Sequence, residues 1–520
     1  MLGRSTLRSE SLVGVVMAAP PCVRVAPDGE TSAEFLHDES KLAAIGVASL
    51  ALPETLTALR EVVSWHAHER HAVAVSGSRT GVAGGAVPEE GSHLVSLSAL
   101  RGVCEVDVSQ TSPTATVLAG TWLSELNAHL ARQHPGLVFP VDPTETSASL
   151  GGMVATNAGG ARSFRFGATR PWVEALTIEL PSARTLHLRR GRERVEQGVL
   201  SLDDGGELRH LRVSPIPKPA TKNAIGYGLE EDGDAIDLWI GSEGTLGIVS
   251  EVTVRLEWQR ESRLGYLQFF DRVVDAFAFV ATLRGDATLR TTAVEFLDAR
   301  SHQLARESGK PAAERVLQMA GEGSVSVFVE IGYDDDDALS RIAERLLEMV
   351  EEAGGNPEAS VAGANEDELR DIRALRHAVP ERVNATIAQR RQRHPSLHKI
   401  ATDMAVPDTE LTWVFQRYSE VFGGAGLDFA AFGHVGNNHF HVNILPRDPS
   451  ELARAKECYA VLAAEVVARR GSIAAEHGIG RIKKGLLPLQ YGADTMADLR
   501  AVKRWIDPLW RLNRGVLIDP

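Results

Sequence analysis

The sequence predicts a mixed α+β fold divided into more than one domain, and three observations support this prediction. Up to Trp258 the predicted strands and helices follow one another without the regular alternation of βαβ units. A glycine-rich loop follows an early buried strand, yet it lacks the spacing of the dinucleotide-binding loop and the helix that would follow it. Beyond Trp258 the composition changes, and two amphipathic helices flank a strand, which indicates a separate second domain.

Composition and charge limit the class of protein. The chain has 520 residues, of which 43% are hydrophobic and 24% charged, so we expect two or three globular domains. The formal net charge of −14 argues against nucleic acid as the main partner, because its phosphates would be repelled. A small anionic substrate is compatible with this charge, provided that a local basic pocket binds it.

Cysteine content and hydropathy indicate the compartment. The three cysteines lie far apart and form neither a disulfide framework nor a CxxC metal site, which predicts a reducing, cytoplasmic location. No apolar run approaches the ~20 residues of a membrane span, so any association with a membrane would be peripheral. We interpret residues 1–40, with their apolar patch Leu12–Ala19, as an irregular segment rather than a signal peptide.

The elements of the first domain follow from hydrophobic periodicity. A helix is predicted after Pro53, because Leu56, Leu59, Val62 and Val63 recur at helical spacing. Apolar runs predict four strands, followed by one more helix: strands at Ala72–Val75, Leu94–Leu97, Val103–Val108 and Ala115–Ala119, and a helix at Leu123–Gln133.

The loop Ser76–Pro88 is the first of three glycine-rich surfaces. It contains four glycines within ten positions, so few side chains keep a ligand away, and successive N–H groups can converge on an anion. Charge-assisted N–H bonds of roughly 1.5–3 kcal/mol each could hold a pyrophosphate without a basic side chain. An ordinary glycine-rich turn is the alternative interpretation.

Two more surfaces of the same kind follow. In Ser149–Gly160, the pairs Gly151-Gly152 and Gly159-Gly160 bracket a short apolar turn, after Phe139–Pro143. The third surface, Trp239–Val249, leads into the alternating strand Glu251–Leu256. Backbone-rich surfaces of this kind suit a flat ring system.

The predicted second domain has fewer motifs. We expect amphipathic helices at Phe269–Leu283 and Leu339–Met349 and a strand at Ser324–Glu330. The expected organisation is therefore an irregular segment, a first domain, a substrate or cap domain and a C-terminal segment, with bounds 1–40, 41–258, 259–460 and 461–520.

A histidine-rich strand is the first candidate for chemistry. From His439 the side chains alternate, so that His439, His441 and Asn443 lie on one face. The turn Gly436–Asn438 can bring His434 back towards them. Three histidines around one turn favour a metal or proton-transfer site over unrelated structural histidines.

A second candidate is the Glu476-His477 pair, which lies in the glycine-flanked run Gly471–Gly480. It offers a carboxylate ligand and an imidazole on different sides of the chain. By itself such a pair is a weak signal, because Glu-His pairs occur by chance.

Taken together, these motifs resemble the FAD-linked dehydrogenases of D-2-hydroxy acids, which have a flavin domain of the vanillyl-alcohol-oxidase (PCMH) type. This family includes D-lactate dehydrogenase, D-2-hydroxyglutarate dehydrogenase and the catalytic subunit of glycolate oxidase. The resemblance spans residues 40–518 and is most specific in Gly151–Gly160 and Gly241–Ile248. It implies a two-part FAD-binding domain, an α+β cap domain with an antiparallel sheet, and a C-terminal tail that returns to the FAD domain.

The resemblance also implies cofactor-binding residues. It places FAD, held non-covalently because the loop has Arg79 and no histidine, against fourteen positions. These are Ser76, Gly77, Ser78, Arg79, Thr80 and Gly81 at the pyrophosphate; Pro140, Gly151, Gly152 and Thr156 at the flavin; Glu243, Gly244 and Ile248 at the adenosine half; and Asn513 from the tail.

The family's metal and catalytic residues map onto the two candidate motifs. The resemblance implies that His434, His441 and Glu476 bind a divalent metal ion and that His477 is the general base. Zinc is the expected metal, although two imidazoles and a carboxylate suit manganese or iron equally. Substrate contacts are implied for Arg376, Lys399 and Asn443, of which the cations would bind the substrate carboxylate.

Two departures from the family pattern bear on these assignments. Asn437-Asn438-His439 stands where Asp-Gly-Asn is usual, so His439 competes with His434 as a metal ligand. Arg514 replaces a proline of the tail, which makes that turn less rigid.

The predicted function is FAD-dependent oxidation of a D-2-hydroxy acid of the lactate, 2-hydroxyglutarate or glycolate class. The alternatives are an alcohol or sugar-acid oxidase that uses oxygen and a flavin subunit of a larger complex. The expected electron acceptor is a quinone, a cytochrome or an electron-transfer flavoprotein. The oligomeric state is left open, with a homodimer among the alternatives.

Overall fold

The computed structural model of the chain describes residues 17–27, 30, 33–259 and 261–520. Half of the N-terminal stretch that we interpreted as irregular, including Leu12, lies outside the described residues. The described part contains the strands and helices given next, numbered in chain order.

The strands are β1 Val23–Val25, β2 Ser49–Ala51, β3 Val73–Ser76, β4 His93–Ser96, β5 Val103–Asp107, β6 Thr114–Leu118, β7 Leu137–Val138, β8 Val173–Glu179, β9 Thr185–Arg189, β10 Val195–Glu196, β11 Val199–Asp203, β12 Leu208–Arg212, β13 Ile248–Arg255, β14 Glu257–Trp258, β15 Ser262–Phe270, β16 Arg290–Leu297, β17 Val325–Tyr333, β18 Ser360–Gly363, β19 Ile400–Ala401, β20 Met404–Ala405, β21 Phe429–Gly433 and β22 His439–Ile444. The α-helices are α1 Leu56–Glu69, α2 Leu123–Gln133, α3 Leu150–Thr156, α4 Ser163–Phe166, α5 Val273–Gly285, α6 Ala299–Glu307, α7 Pro311–Leu317, α8 Asp336–Glu352, α9 Glu366–Arg391, α10 Leu411–Tyr418, α11 Pro449–Ala468 and α12 Leu487–Ile506.

The N-terminal half is built on two main sheets. A four-stranded sheet has the order β1-β2-β4-β3, in which β4 runs parallel to both β2 and β3. A five-stranded antiparallel sheet has the order β5-β6-β13-β8-β9, with the long strand β13 at its centre. The α+β prediction is confirmed, because helices and both kinds of strand pairing occur together without a regular βαβ repeat.

The second half is built on one large antiparallel sheet. Its order is β18-β15-β17-β16-β21-β22-β19, and β20 also pairs with β22. Buried leucines, valines and phenylalanines of β15, β16 and β17 form the core with the helices that cover the sheet. Strand β22, which carries the predicted histidine motif, pairs with β21, and its residue His441 lines the cavity shared with the first half of the chain.

Three segments differ from the sequence predictions. Phe269 and Phe270 end strand β15, and the helix begins only at Val273, because two buried phenylalanines suit a fully buried strand as well as a helix. The predicted turn between the glycine pairs is helix α3, which Ser149 caps by accepting a hydrogen bond from Gly152 N–H at 3.3 Å. Helix α11 runs unbroken through residue 460, where we expected one domain to end.

The C-terminal tail returns to the first half of the chain, as the fold prediction implied. Val73 N–H donates to Arg511 O at 2.9 Å, and Asn513 N–H donates to Val73 O at 2.8 Å. The tail therefore extends the four-stranded sheet next to β3 and lies beside the glycine-rich loop that follows this strand.

Asp298 provides a stability prediction. It caps α6 by accepting from Ser301 N–H at 2.7 Å, and its second oxygen accepts from Ala431 N–H of β21 at 2.8 Å. Asp298→Ala should lower the free energy of unfolding by about 2–4 kcal/mol, since it removes a cap and leaves a buried N–H unpaired.

Chemical denaturation would measure this loss. The matched control is Asp335→Ala, which removes the cap of α8 from an exposed position and should cost only about 1 kcal/mol. Equal losses in the two variants would show that the contact between Asp298 and β21 contributes nothing.

Candidate active site

A cavity of about 330 Å3 lies where the three glycine-rich surfaces meet. Such a volume is within the range of cofactor pockets. Its walls are mainly backbone and small side chains, with three ionisable side chains of the second half at one end. The lining includes Ser76–Ala83, Pro143–Glu145, Ser149, Gly151–Met153, Ala155, Thr156, Ser242–Gly244, Val249, Asn513 and, at that end, His441, Glu476 and His477.

Close packing explains why glycine occupies two of these positions. A Cβ atom on Gly151 would lie 2.7 Å from Ala119 Cβ and 2.9 Å from Ala119 O. A Cβ atom on Gly77 would overlap the Ser149 hydroxyl, which caps α3. Glycine therefore lets the loop after β3 and the first turn of α3 approach each other, with their N–H groups beside the cavity.

Asn513 joins two walls of the cavity through its side-chain amide. Its Oδ1 accepts from Val75 N–H at 2.7 Å, and its Nδ2 donates to Glu243 O at 2.7 Å. The amide group is assigned in this orientation because it pairs a donor with an acceptor at both ends. The C-terminal tail thus fixes the distance between the first and third glycine-rich surfaces.

Glu243 links the cavity to the Glu-His motif. Its carboxylate accepts from Ile479 N–H at 2.7 Å and from Gly480 N–H at 2.8 Å. Burial raises the pKa of Glu243 to about 7, against the opposing effect of these two hydrogen bonds and of Lys483. This side chain holds the end of the loop that carries Glu476 and His477.

Twelve of the fourteen predicted cofactor residues line the cavity, and two do not. Among the residues that the structure describes, Ile248 opens instead onto a small cavity on the other face of β13, because neighbouring strand residues alternate between faces. Its neighbours Gly247 and Val249 line the large cavity in its place. Pro140 is buried in the wall, and Pro143 is the proline that reaches the surface of the cavity.

The predicted metal ligands come together with His439 as a fourth member. Ligand atoms of His434, His439, His441 and Glu476 all lie within 4.8 Å of one another. Glu476 is at the centre: its Oε1 lies 3.2 Å from His434 Nε2, and its Oε2 lies 3.6 Å from His441 Nε2 and 4.0 Å from His439 Nδ1. His434 and His439 therefore both face the same carboxylate.

Asp403 holds the loop that carries the Glu-His pair. Its two oxygens accept from Glu476 N–H and His477 N–H, each at 3.1 Å, and it also pairs with Lys483 Nζ. The same carboxylate lies 3.5 Å from His477 Nδ1. A carboxylate beside Nδ1 favours a proton on that nitrogen, which leaves the lone pair of Nε2 for the cavity.

Burial and charge set the protonation of the cluster. Although burial alone would lower it, Glu295 and Glu476 raise the pKa of His434 to about 9. Burial, reinforced by the neighbouring His441, lowers the pKa of His439 to about 3, and burial lowers that of His477 to about 4. The imidazoles of His439 and His477 are therefore neutral at pH 7, as metal ligation or proton abstraction requires, whereas His434 is protonated and has to release its proton to bind a metal ion.

None of the three predicted substrate contacts lines the cavity. Arg376 Nη2 lies 3.0 Å from Glu295 Oε2, and this carboxylate also binds His434 Nδ1 at 2.5 Å. Asn443 is buried and donates from Nδ2 to His441 O at 3.1 Å. Burial, and secondarily Lys41, lowers the pKa of Lys399. Arg376 and Asn443 are thus adjacent to the cluster, whereas the charge nearest to Lys399 in its effect is that of Lys41 in the first half of the chain.

Sequence reasoning missed Lys222, Glu295 and Asp403. Lys222 is buried, pairs with Glu476 Oε1 and donates to Gly160 O at 3.2 Å. Although burial opposes the effect, His434 and Lys222 hold the pKa of Glu476 well below its usual value. Asp403 lies four residues after Lys399 in the sequence, so this carboxylate could have been noticed as a candidate. Neither Lys222 nor Glu295 belongs to a recognisable motif.

Two known families match the two halves of the chain. The family described as "FAD binding domain" matches residues 47–189, and the family described as "FAD linked oxidases, C-terminal domain" matches residues 260–517. These matches cover most of the chain, which belongs to the FAD-linked oxidases.

Characterised relatives are similar over nearly their full length. A D-2-hydroxyglutarate dehydrogenase from Xanthomonas citri pv. viticola is 29% identical, and the match covers 96% of this chain and 95% of the relative. A D-lactate dehydrogenase from Anaerostipes hadrus is 28% identical over 95% of this chain and 94% of the relative. A glycolate oxidase subunit from Bacillus subtilis is 25% identical over 89% and 87%, respectively.

Solved structures show that the fold is shared more widely. p-Cresol methylhydroxylase superposes with a TM-score of 0.69 at 12% identity, over 96% of this chain and 94% of that chain. A 4-ethylphenol oxidase from Gulosibacter chungangensis superposes with a TM-score of 0.65 at 15% identity, over 95% and 93%. At such low identity the likeness concerns the fold alone.

Proposed function

We propose that the chain oxidises a D-2-hydroxy acid to the 2-oxo acid, with FAD as the hydride acceptor and a divalent metal ion at the histidine cluster. The observation that carries this proposal is the composition of one cavity. Its glycine-rich walls suit FAD, and its end is formed by His441, Glu476 and His477. The names of the relatives, which are dehydrogenases or oxidases of 2-hydroxy acids, support the same reaction.

The donors at the cluster fit a metal ion. Three buried or half-buried imidazoles surround the Glu476 carboxylate, and His439 Nδ1 has no hydrogen-bond partner among the described residues although its ring is fully buried. A buried polar atom without a partner is costly unless another group satisfies it. We propose His434, His441 and Glu476 as ligands, and His439 as a fourth. Nitrogen ligands with one carboxylate suit zinc, with manganese or iron as alternatives.

The chain's own residues would supply proton transfer and orientation. When bound, FAD takes up the α hydrogen with its electron pair, and the metal ion makes the substrate hydroxyl more acidic. His477 Nε2 accepts the hydroxyl proton, while Asp403 fixes its ring through Nδ1. Loss of a hydride and a proton converts the hydroxyl-bearing carbon into a carbonyl carbon, which gives the 2-oxo acid.

The substrate carboxylate requires a cation, and Arg376 and Lys399 are the proposed contacts, with Asn443 as a polar contact. Arg376 could approach only by loosening its ion pair with Glu295, whose other oxygen holds His434. Recognition of the substrate would then be coupled to the position of a metal ligand. Arg376→Lys, which keeps the charge but not the planar fork, would test this coupling.

The proposed function has a direct spectroscopic test. Purified protein is mixed without oxygen with D-lactate, D-2-hydroxyglutarate or glycolate, and the absorbance of oxidised flavin is followed. Bleaching by a D-acid, but not by its L-enantiomer, is expected. Flavin that none of these acids bleaches would favour the alcohol or sugar-acid oxidase alternative. A protein that cannot bind FAD would refute both the proposed oxidation of a 2-hydroxy acid and the oxidase alternative.

Gly81 allows the cofactor site to be tested separately. It lines the cavity, and a Cβ atom built there meets no atom within 4 Å beyond its chain neighbours, so a side chain can occupy the cofactor space without clashing with the protein. Gly81→Val should weaken FAD binding about 10-fold or more, because overpacking costs about 1–3 kcal/mol. Fluorescence titration with FAD would measure the change.

The control for this experiment is Gly46→Val. Gly46 has the same open surroundings but lies outside the cavity, so its FAD affinity should equal that of the wild type. Both variants should unfold at the wild-type temperature without FAD. Unchanged FAD affinity in Gly81→Val would contradict the assignment of this loop to the cofactor.

Location and partners complete the proposal. Among the described residues, no helix is long and apolar enough to cross a bilayer. We propose a cytoplasmic enzyme, with peripheral contact to a membrane if its electron acceptor is a quinone. A cytochrome and an electron-transfer flavoprotein are the other proposed acceptors, and a homodimer is the proposed assembly to test.

A further inference from the structure

A second cluster of histidines lies outside the candidate active site, on the four-stranded sheet of the first half. His66, His71 and His93 place one ring nitrogen each within 4.8 Å of one another. His66 is buried and the other two are half-buried. Neither the proposed reaction nor the cofactor cavity uses these residues.

Local backbone structure brings His66 and His71 together. Helix α1 is followed by its cap residue Arg70, which adopts the left-handed conformation with φ 56°. His71 N–H then donates back to His66 O at 3.1 Å. This turn folds His71 under the last turn of the helix. His93 begins β4 and pairs in register with Ser49 of β2 and Val73 of β3. Val73 lies two residues after His71, so this pairing brings His93 close to His71.

The ring nitrogens converge rather than pointing to separate partners. His66 Nδ1 lies 3.0 Å from His71 Nδ1, and the His71 and His93 rings stack with centroids 3.7 Å apart. His93 Nδ1 lies 2.7 Å from Ser49 Oγ, so His93 Nε2 is available to a ligand. The alternative interpretation is a purely structural cluster of packed rings that includes Trp65, whose ring centroid lies 4.6 Å from that of His66.

We propose that His66, His71 and His93 form a second binding site for a divalent transition-metal ion, with zinc as the reference ion. Three imidazoles are a common ligand set for zinc, and they leave one position for water. A separation of 3.0 Å between two ligand nitrogens is close to that of neighbours around an ion with bonds of about 2.0–2.1 Å. Binding requires only that the stacked His71 and His93 rings turn towards His66.

The surroundings of His66 favour this ligand geometry. Its Nε2 has no hydrogen-bond partner among the described residues, and the side chain lines a cavity of about 20 Å3 together with Glu179 and Arg511. This volume holds one water molecule. A water molecule that accepts from Nε2–H would leave the lone pair of Nδ1 for the metal, which is the usual role of an outer-shell partner.

Protonation does not oppose metal binding at this site. Burial lowers the pKa of His66 to about 3, and the neighbouring His93 adds to this effect. Burial also lowers the pKa of His93 to about 4, and here His71 adds to the effect. Burial also lowers the pKa of His71, and Arg511 acts in the same direction. The imidazoles are therefore neutral at pH 7, the form in which they bind metal.

The position of the site suggests a structural role. His71 lies two residues before β3, which leads into the glycine-rich loop of the cofactor cavity. Arg511 Nη1 donates to His66 O at 3.0 Å, and Arg511 O accepts from Val73 N–H. A metal ion would thus tie helix α1 and strand β4 to the strand that carries this loop and to the C-terminal tail.

Zinc stoichiometry tests the proposal in the full-length protein. Apo protein is loaded with Zn2+, desalted, and analysed by plasma mass spectrometry. We expect about two zinc ions per chain in the wild type and about one in the His71→Gln/His93→Gln variant. The His434→Gln/His441→Gln variant should also keep about one, and the combination of all four changes should keep none. The two sites can therefore fail independently.

Control measurements exclude indirect effects. His68→Gln removes an exposed neighbouring histidine that pairs with Glu69, and it should bind as much zinc as the wild type. Zinc should raise the melting temperature of the His434→Gln/His441→Gln variant, and the rise should vanish when His71 and His93 are also replaced. The proposal is overturned if His71→Gln/His93→Gln keeps the wild-type zinc content, or if zinc binds to the His434→Gln/His441→Gln variant without a dependence on His71 and His93. Circular dichroism verifies that each variant is folded.

Discussion

Glu476→Gln is expected to lower the rate of flavin reduction by the hydroxy acid about 1,000-fold or more and to remove the metal ion from the catalytic cluster. The reason is the central position of this carboxylate, which faces the three imidazoles and Lys222. Glutamine keeps the shape but loses the charge that a divalent ion requires. Anaerobic stopped-flow absorbance and metal analysis measure the two effects together.

Controls separate this effect from a general loss of stability. Removal of the charge leaves the buried Lys222 without its partner, so unfolding of Glu476→Gln must be measured alongside its activity. Glu476→Asp keeps the charge and should retain more metal than Glu476→Gln. Glu420→Gln changes an exposed carboxylate paired with Arg417 and should behave like the wild type. Wild-type turnover in a folded Glu476→Gln protein would refute the metal site.

His477→Gln is expected to lower the rate of flavin reduction by about 100- to 10,000-fold, the usual contribution of a general base. The side chain lines the cofactor cavity, and its Nδ1 lies 3.5 Å from Asp403 Oδ2. FAD and metal content should remain those of the wild type, because His477 is not among the four clustered ligands. This pattern differs from that of Glu476→Gln, which loses the metal.

Rescue of the rate by an added base distinguishes a general base from a structural residue. A variant without its base should regain part of the rate when an added small base such as imidazole enters the cavity, whereas a merely misfolded site should not. His187→Gln, an exposed histidine near Thr177, is the matched control. A folded His477→Gln protein with the wild-type rate would assign proton removal to another group.

Motifs rich in glycine and histidine were predictable because their chemistry is local. A Cβ atom at Gly77 or Gly151 would clash with Ser149 or Ala119, which accounts for the glycines that make these two motifs recognisable. The face shared by His439 and His441 follows from the period of a strand. Sequence alone could therefore predict most of the cavity walls and which histidines lie together, whereas their catalytic role stays a prediction.

Residues that act through the tertiary structure could not be predicted in the same way. Lys222 reaches Glu476 across 254 positions, and Glu295 reaches His434 across 139. Neither has a local pattern, since the fold alone brings them together. The error at Phe269, where we predicted the start of a helix, has another cause. A continuous apolar run fits a buried strand as well as a helix, and pairing with β17 and β18 determines that this run is a strand.

The amide of Asn513 has a consequence for the biosynthesis of the protein. It bonds to Val75 across 438 positions of the chain, and it also bonds to the backbone of Glu243. During translation, the amino-terminal half emerges and can begin to fold long before this residue leaves the ribosome. The walls of the cofactor cavity cannot be joined in their final positions until Asn513 has been synthesised, so tight capture of the cofactor should come late in folding.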